Sequence, residues 1–193
     1  ERGRPDVAER VVLPLLLATT ASALPQDSTA VDWPQWRGPD RTGVSSEVGW
    51  NPRGASVPLW RRTLGLGHSS FAVVDGNVYT LGHDVEKGVD VVFCMNAATG
   101  EEIWTSTYPS DLWDNAHDGG TLTTPTVVDG AVYTSNREGK VFCFDAKSGE
   151  VRWQRDLSAD KELEPPTWGF SASPLLIEDL VIMNVDRVIA LDR

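Results

Sequence analysis

The chain is poor in cysteine and in basic side chains, and it has no long apolar run. Its 193 residues include two cysteines, which allow at most one internal disulfide. Lysine and arginine total 17 against 28 aspartates and glutamates, and so acidic a chain repels nucleic acid and anionic lipid alike. The most apolar stretch, residues 11–18, is far shorter than the roughly 20 residues that span a bilayer, so no membrane span is expected in the mature chain. A hydrophobic content of 40% and eight tryptophans nevertheless favour a folded core.

The first 23 residues have the three parts of a secretory signal peptide. A polar start with three arginines precedes the apolar residues 11–18, and Ala21 and Ala23 form an Ala-x-Ala cleavage site. The alternative, a short buried helix, suits the polar residues 19–22 poorly. We therefore expect residues 1–23 to be a signal peptide and the mature protein to be periplasmic or secreted. Because residue 1 is Glu and the last repeat is incomplete, we expect the chain to be a fragment.

Two hairpin patterns occur twice along the chain. Residues 72–79 and 126–133 each carry an Asp-Gly pair between β-branched residues, which is a strong hairpin signal. Downstream of each, an Asx-x-x-Thr/Ser-Gly turn at residues 96–100 and 145–149 leads into a strand that carries a tryptophan. A third unit starts near residue 173. Four antiparallel strands in a repeat of about 50 residues are typical of β-propeller blades.

The turn and the tryptophan after it form an eleven-residue motif, Ala-x-Asp-x-x-Thr-Gly-x-x-x-Trp, with small departures. This motif resembles the tryptophan-docking motif of the pyrroloquinoline-quinone (PQQ) repeat β-propellers. In that family the tryptophan of one blade packs on the glycine turn of its neighbour, so the resemblance implies structural roles for these residues. The motif positions are held by Cys94, Asn96, Thr99, Gly100 and Trp104, by Cys143, Asp145, Ser148, Gly149 and Trp153, and by Ala190 and Asp192.

The resemblance predicts an all-β fold, a β-propeller fragment of four-stranded antiparallel blades with two full blades and a partial third. A full ring of this family is expected to have seven or eight blades. Residues 56–64 match the last strand of a blade and are interpreted as the strand that closes the ring. The predicted divisions are an arm at 24–55 and repeats at 56–193, with the closing strand at 56–64, blades at 65–108 and 123–157, and a partial blade at 171–193.

The arm is rich in tryptophan, proline and glycine and lacks strand or helix periodicity. It resembles the leader of exported PQQ-repeat proteins from Planctomycete-like bacteria. Trp33, Trp36 and Arg37 suggest a ligand clamp, but aromatic burial against the propeller explains the same residues and is favoured.

The segments that connect successive blades hold the best candidates for a ligand-facing site. Such connections lie on a propeller face beside the central channel. The candidates are Trp113, Asp114, His117, Asp118 and Trp168. One histidine with two nearby aspartates is less than a metal site requires, so a solvated loop is favoured over a metal centre. The two cysteines occupy equivalent motif positions, where each replaces a small buried alanine, so no redox or metal role is expected for them.

The resemblance leaves two functions open. The first is an exported, non-catalytic propeller that binds a protein or a glycan, similar in kind to the outer-membrane assembly lipoprotein; no catalytic residue and no cofactor are predicted for it. The second is a quinoprotein alcohol or sugar dehydrogenase, in which the family holds PQQ over a calcium ion and presses a vicinal Cys-Cys disulfide against the quinone. The chain has no Cys-Cys pair. We therefore prefer the binding propeller, and fold alone does not decide between the two.

Overall fold

The strands of the chain form three antiparallel sheets, in which successive strands are joined by short turns. The computed structural model describes residues 31–48, 57–115 and 118–193. The predicted signal peptide at 1–23, the flanks of the arm and His117 lie outside the described residues. Each sheet has its strands in chain order. The strands are β1 Ala72–Val74, β2 Asn77–Asp84, β3 Val89–Asn96 and β4 Glu102–Pro109; β5 Thr126–Val128, β6 Ala131–Ser135, β7 Lys140–Asp145 and β8 Val151–Asp156; and β9 Leu175–Ile177, β10 Leu180–Val185 and β11 Arg187–Asp192.

This arrangement confirms the predicted fold class, a β-propeller fragment with two four-stranded blades and a partial third. The Asp-Gly turns explain the first hairpin of each blade. Asp75 and Gly76 both have positive φ angles, 50° and 72°, and Asp129 and Gly130 repeat them at 49° and 69°. Two successive positive φ angles define the type I′ turn, whose twist matches that of paired strands.

The second turn of each blade is held by the side chain of its first residue. Asn96 Oδ1 accepts hydrogen bonds from the backbone N–H groups of Ala98 and Thr99 at 2.9 and 3.0 Å. Asp145 Oδ1 accepts equivalent bonds at 2.9 and 3.0 Å from the two corresponding residues of the second blade. An amide oxygen and a carboxylate oxygen therefore build the same turn.

Tryptophan side chains lie against the second turns. Trp104 Nε1 donates to the carbonyl oxygen of Ala146 at 2.9 Å, and the ring covers Gly149 so closely that a Cβ there would lie 2.5 Å from it. Trp60 makes the same 2.9 Å bond to Ala97 and covers Gly100. Trp153 is only half-buried and is tilted against Tyr133, with ring centres 6.0 Å apart.

The first two blades enclose a core with a polar end. Tyr108 of β4 stacks on Phe142 of β7, with ring centres 4.0 Å apart. Beside Tyr108 in the register of the sheet, Asp90 Oδ1 and His83 Nδ1 form a buried pair at 2.8 Å. Burial is the main cause that raises the pKa of Asp90, and it raises the pKa of Tyr108 well above its usual value. Aromatic stacking therefore joins the two blades here, and the buried polar pair joins β2 to β3 within the first blade.

Two segments differ from the sequence predictions, one because an expected strand is not formed and one because a short helix was not expected. Residues 57–64 form no strand among the described residues; the nearest pairing is an isolated bridge between Leu66 and His83. A one-turn helix, α1 Leu157–Lys161, follows β8. Asp156 caps its N-terminus by accepting a 3.0 Å bond from the N–H of Ala159, and Glu162 ends it with a φ of 52°. The domain limits stay predictions.

Candidate binding site on the connection face

The connections that enter the first strands lie at one end of the sheets. In a four-stranded antiparallel sheet, the fourth strand ends at the same end as the turn between the second and third strands. The connections therefore share this end of the sheets with the β2–β3 and β6–β7 turns. We call it the connection face and define it by residues 65–70, 109–115, 118–123 and 158–170. Neighbouring connections bond to each other: the N–H of His68 donates to the carbonyl oxygen of Thr121 at 2.7 Å.

Arg137 holds two of these connections together. The residue is 3% exposed, and its Nη1 donates to the carbonyl oxygens of Trp113 and Trp168 at 3.1 and 3.4 Å. Its own carbonyl oxygen accepts from the N–H of Phe170 at 2.8 Å. Burial lowers the pKa of Arg137, and the nearby charge of Asp90 opposes that effect. A buried guanidinium between two loop carbonyls restrains both loops, because leaving it without those acceptors is costly.

Further hydrogen bonds join the same two connections. Asn115 Nδ2 donates to the carbonyl oxygen of Thr167 at 2.7 Å. The N–H of Asp111 donates to Glu138 Oε1 at 3.0 Å, which ties the first connection to the turn that carries Arg137. The two connections therefore form one surface that is fixed before any ligand arrives.

The structure brings some of the predicted site residues together. Trp113 is half-buried and Trp168 is 52% exposed, and Arg137 bonds to the backbone of both. Asp114 and Asp118 are exposed. An open depression of about 570 Å³ is lined by Asp111, Leu112, Trp113 and Asn115. The position of His117 lies outside the described residues.

Sequence reasoning missed Arg137, the residue that joins the candidate loops. It stands in the turn Asn136-Arg137-Glu138-Gly139, where a charged side chain normally points into water. Tyr79 and Tyr133 are equivalent residues of the two blades, because each pairs with the motif cysteine of its sheet. Arg137 stands four residues after Tyr133, as His83 stands four residues after Tyr79. That comparison of the two repeats is the signal that could have found it, since a histidine in one blade and an arginine in the next stand at the same position.

A quinoprotein dehydrogenase would need calcium ligands and, by the family resemblance, a vicinal Cys-Cys disulfide. Within 31–48, 57–115 and 118–193 no three side chains of His, Cys, Asp or Glu gather as metal ligands would. Cys94 and Cys143 are free, buried thiols in different sheets, and burial raises the pKa of Cys94 to about 11. A protonated, buried thiol is a poor metal ligand and a poor nucleophile.

No helix in the described part of the chain is long and apolar enough to cross a membrane.

Solved structures with a similar fold come from larger proteins. Quinohemoprotein alcohol dehydrogenase from Comamonas testosteroni matches with a TM-score of 0.57 and 19% identity over 79% of this chain and 23% of that chain. A europium-containing methanol dehydrogenase matches with a TM-score of 0.51 and 15% identity over 67% of this chain and 23% of that chain. BamB from Moraxella catarrhalis has a TM-score of 0.44 and 19% identity over 64% of this chain and 33% of that chain. At these identities the likeness shows the fold alone.

The chain thus spans about a quarter of the length of the two dehydrogenases and a third of the BamB chain. No curated protein matches it in sequence. Residues 52–192 match the model of the PQQ-like repeat family that is described as outer membrane protein assembly factor BamB. Since that match covers most of the chain, the protein belongs to this PQQ-like repeat family of β-propellers.

Proposed function

We propose that the chain is part of an exported, non-catalytic β-propeller that binds a protein partner on its connection face. The main support for this proposal is that buried Arg137 donates hydrogen bonds to the carbonyl oxygens of Trp113 and Trp168 and so orders two loops of this face. A surface that is already ordered binds with a smaller loss of conformational entropy. Tryptophan is also among the residues that contribute most to protein interfaces.

The chemistry of the connection face indicates what it would bind. Trp168 offers a large apolar surface, and the connection that Arg137 joins to its own carries the exposed acidic residues Asp111, Asp114 and Asp118. A complementary partner would have an apolar pocket for the indole and lysine or arginine side chains around it. The same negative charge works against nucleic acid and against anionic lipid.

The family supports the location and the partner class. A family described as an outer membrane protein assembly factor favours export and a protein partner, and we assign residues 1–23 as the signal peptide that export requires. A glycan is the less favoured ligand, because the family description names a factor that assembles proteins. We also assign the repeated motif a structural role: Trp104 docks on the glycine turn of the second sheet and joins the first sheet to it, and Trp60 docks in the same way on the glycine turn of the first sheet.

The alternative function is a PQQ- and calcium-dependent dehydrogenase. The similar solved structures include alcohol and methanol dehydrogenases, which favours this reading at the level of the fold only. PQQ would supply the electron acceptor for alcohol or sugar oxidation in such an enzyme. The chain has no Cys-Cys pair, and within the described residues no three His, Cys, Asp or Glu side chains form a metal-binding group, so we rank this function second.

The first experiment tests partner binding in cells. A photoreactive amino acid replaces Trp168 in the full-length protein, and the matched control carries it at Trp36, which is similarly exposed on the arm. We expect a discrete cross-linked protein from position 168 and none from position 36. The purified partner should then bind the wild-type protein and bind the Arg137→Met variant more weakly. Equal cross-linking from both positions would contradict the proposed face.

The second experiment separates the two functions. Purified full-length protein receives PQQ and calcium, and both the retained quinone and the reduction of an artificial acceptor with simple alcohols or sugars are measured. We expect neither retention nor turnover. Stoichiometric PQQ with substrate-dependent turnover would establish the dehydrogenase instead.

A further inference from the structure

Each of the three sheets begins with a three-residue strand that stands at the edge of its sheet. These strands are β1, β5 and β9, and in the part of the chain that the structure describes each pairs with a strand of its own sheet on one side only. In a propeller the first strands line the central channel. An unpaired strand edge presents a row of N–H and C=O groups and readily accepts an extended segment. The inner edges of the three blades are therefore places where a ligand backbone fits.

One segment of the arm contacts all three of these strands. Trp33 exchanges two backbone hydrogen bonds with Val73 of β1, at 2.7 and 2.8 Å. The N–H of Val127 on β5 donates to the carbonyl oxygen of Pro34 at 2.8 Å. Arg41 Nη2 donates to the carbonyl oxygen of Leu176 on β9 at 3.1 Å.

Local contacts keep this segment in shape. The ring of Trp33 lies over Gly38, where a Cβ would be 2.7 Å from the ring and where φ is +79°. Arg37 Nη2 donates to the carbonyl oxygen of Thr42 at 3.0 Å, so its guanidinium is engaged inside the arm. Trp36 remains 56% exposed. The indole of Trp33 thus holds the arm in the shape that meets the strands, whereas the indole of Trp36 is exposed.

The arm also marks one end of the channel. Asp32 Oδ1 accepts from the N–H of Asp75, in the turn between β1 and β2. That turn lies at the opposite end of the sheet from the β2–β3 turn, and so at the opposite end from the connection face. A ligand on the connection face would not compete with the arm.

We propose that residues 32–41 are a permanent ligand in cis for the inner strand edges of the three blades, bound toward the end of the sheets opposite the connection face. The strand edges are then unavailable to a partner that binds by adding a strand. This inference does not depend on the identity of any partner, because its contacts are all within the chain.

The test removes the arm and returns it as a peptide. The full-length protein without residues 31–48 is mixed with a fluorescent peptide of residues 31–43, and binding is followed by anisotropy. We expect the peptide to bind the deletion variant and not the intact protein, whose edges are occupied. Binding should also slow amide hydrogen exchange at Val73 and Val127 by about tenfold or more, as new backbone hydrogen bonds do. Exchange at Val132, buried within β6, reports whether the deletion variant is folded.

Two peptides provide the matched control. The peptide with Trp33→Ala should bind about tenfold more weakly, a difference of about 1.4 kcal/mol, whereas the Trp36→Ala peptide should bind within about twofold of the original. Failure of the peptide to bind a folded deletion variant would overturn the proposal, and so would equal binding to the intact protein.

A second measurement applies if the deletion variant does not fold. In the intact full-length protein, Trp33→Ala should accelerate exchange at Val73 and Val127 by about tenfold while Trp36→Ala leaves it unchanged. Unchanged exchange at both amides in the Trp33→Ala protein would overturn the proposal.

Discussion

The indole of Trp104 lies flat against Gly149, and its Nε1 hydrogen atom points to the carbonyl oxygen of Ala146 in the same turn. The two residues belong to different sheets. Gly149 has a φ of +72°, which a residue with a Cβ resists, and any Cβ there would also strike the ring. A turn and the tryptophan that covers it therefore constrain each other.

The first prediction concerns the unequal burial of the two motif tryptophans. Trp104 is 8% exposed and bonds to the next turn, so Trp104→Ala should lower the free energy of unfolding by about 3 kcal/mol, as truncation of a buried aromatic does. Trp153 is half-buried, and Trp153→Ala should cost clearly less in this chain. Chemical denaturation midpoints of the two variants measure the difference. The exposed Trp36→Ala is the control, and a Trp104→Ala midpoint equal to that of the control would refute the role of the contact.

The second prediction is a pH dependence at the second turn of the second blade. Hydrogen bonding to Arg152, at 2.7 Å, and then to the backbone N–H groups of Ser148 and Lys147 lowers the pKa of Asp145 to about 2. A carboxyl whose pKa is lower in the folded state stabilises the fold above its unfolded pKa of 3.8, and that stabilisation is lost as the pH falls toward 2. Asp145→Asn should therefore reduce the slope of stability against pH in this window.

The first blade supplies the control for this prediction. Asn96 builds the equivalent turn with an amide oxygen, so Asp145→Asn should preserve the turn itself. Denaturation midpoints between pH 2 and pH 6 test the slope, and NMR titration of the Asp145 carboxyl tests the pKa. Parallel pH profiles for the wild type and the Asn variant would show that the ion pair with Arg152 is without effect on stability.

The third prediction concerns the buried pair of His83 and Asp90. Asp90→Ala leaves His83 buried without its 2.8 Å partner and should cost about 3 kcal/mol, because breaking a buried polar pair is strongly destabilising. Asp90→Asn keeps an oxygen acceptor for His83 and should cost less. Asp84→Ala removes an exposed ion pair with Lys87 on the same hairpin and should change stability little. If the Asp90 and Asp84 alanine variants unfold at the same denaturant concentration, the buried pair contributes nothing beyond a surface contact.

The strands were predictable because local chemistry determines them. Asp-Gly turns with two positive φ angles and alternating β-branched residues carry their signal within a few positions. The helix α1 was not predictable in this way. It has five residues, too few to show helical periodicity, and it depends on the cap of Asp156 and the left-handed Glu162.

The candidate site was predictable only in part. The connections could be recognised as loops, and Trp168 is exposed there. The clamp of Arg137 depends on carbonyl oxygens that the fold brings to it from residues 24 and 31 positions away. The contacts of the arm could not be predicted either, because Trp33 and Pro34 bond to β1 and β5 through backbone groups, which leave no signal in the sequence.

The tryptophan contacts of the fold point forward along the chain. Trp60 bonds to a carbonyl oxygen 37 residues later, and Trp104 to one 42 residues later. A chain that emerges N-terminus first, from the ribosome or from an export channel, presents each of these tryptophans before the turn that accepts its hydrogen bond. The packing of each tryptophan is therefore completed only when the next repeat has emerged, and a pause between the two leaves the indole without its acceptor for as long as the pause lasts.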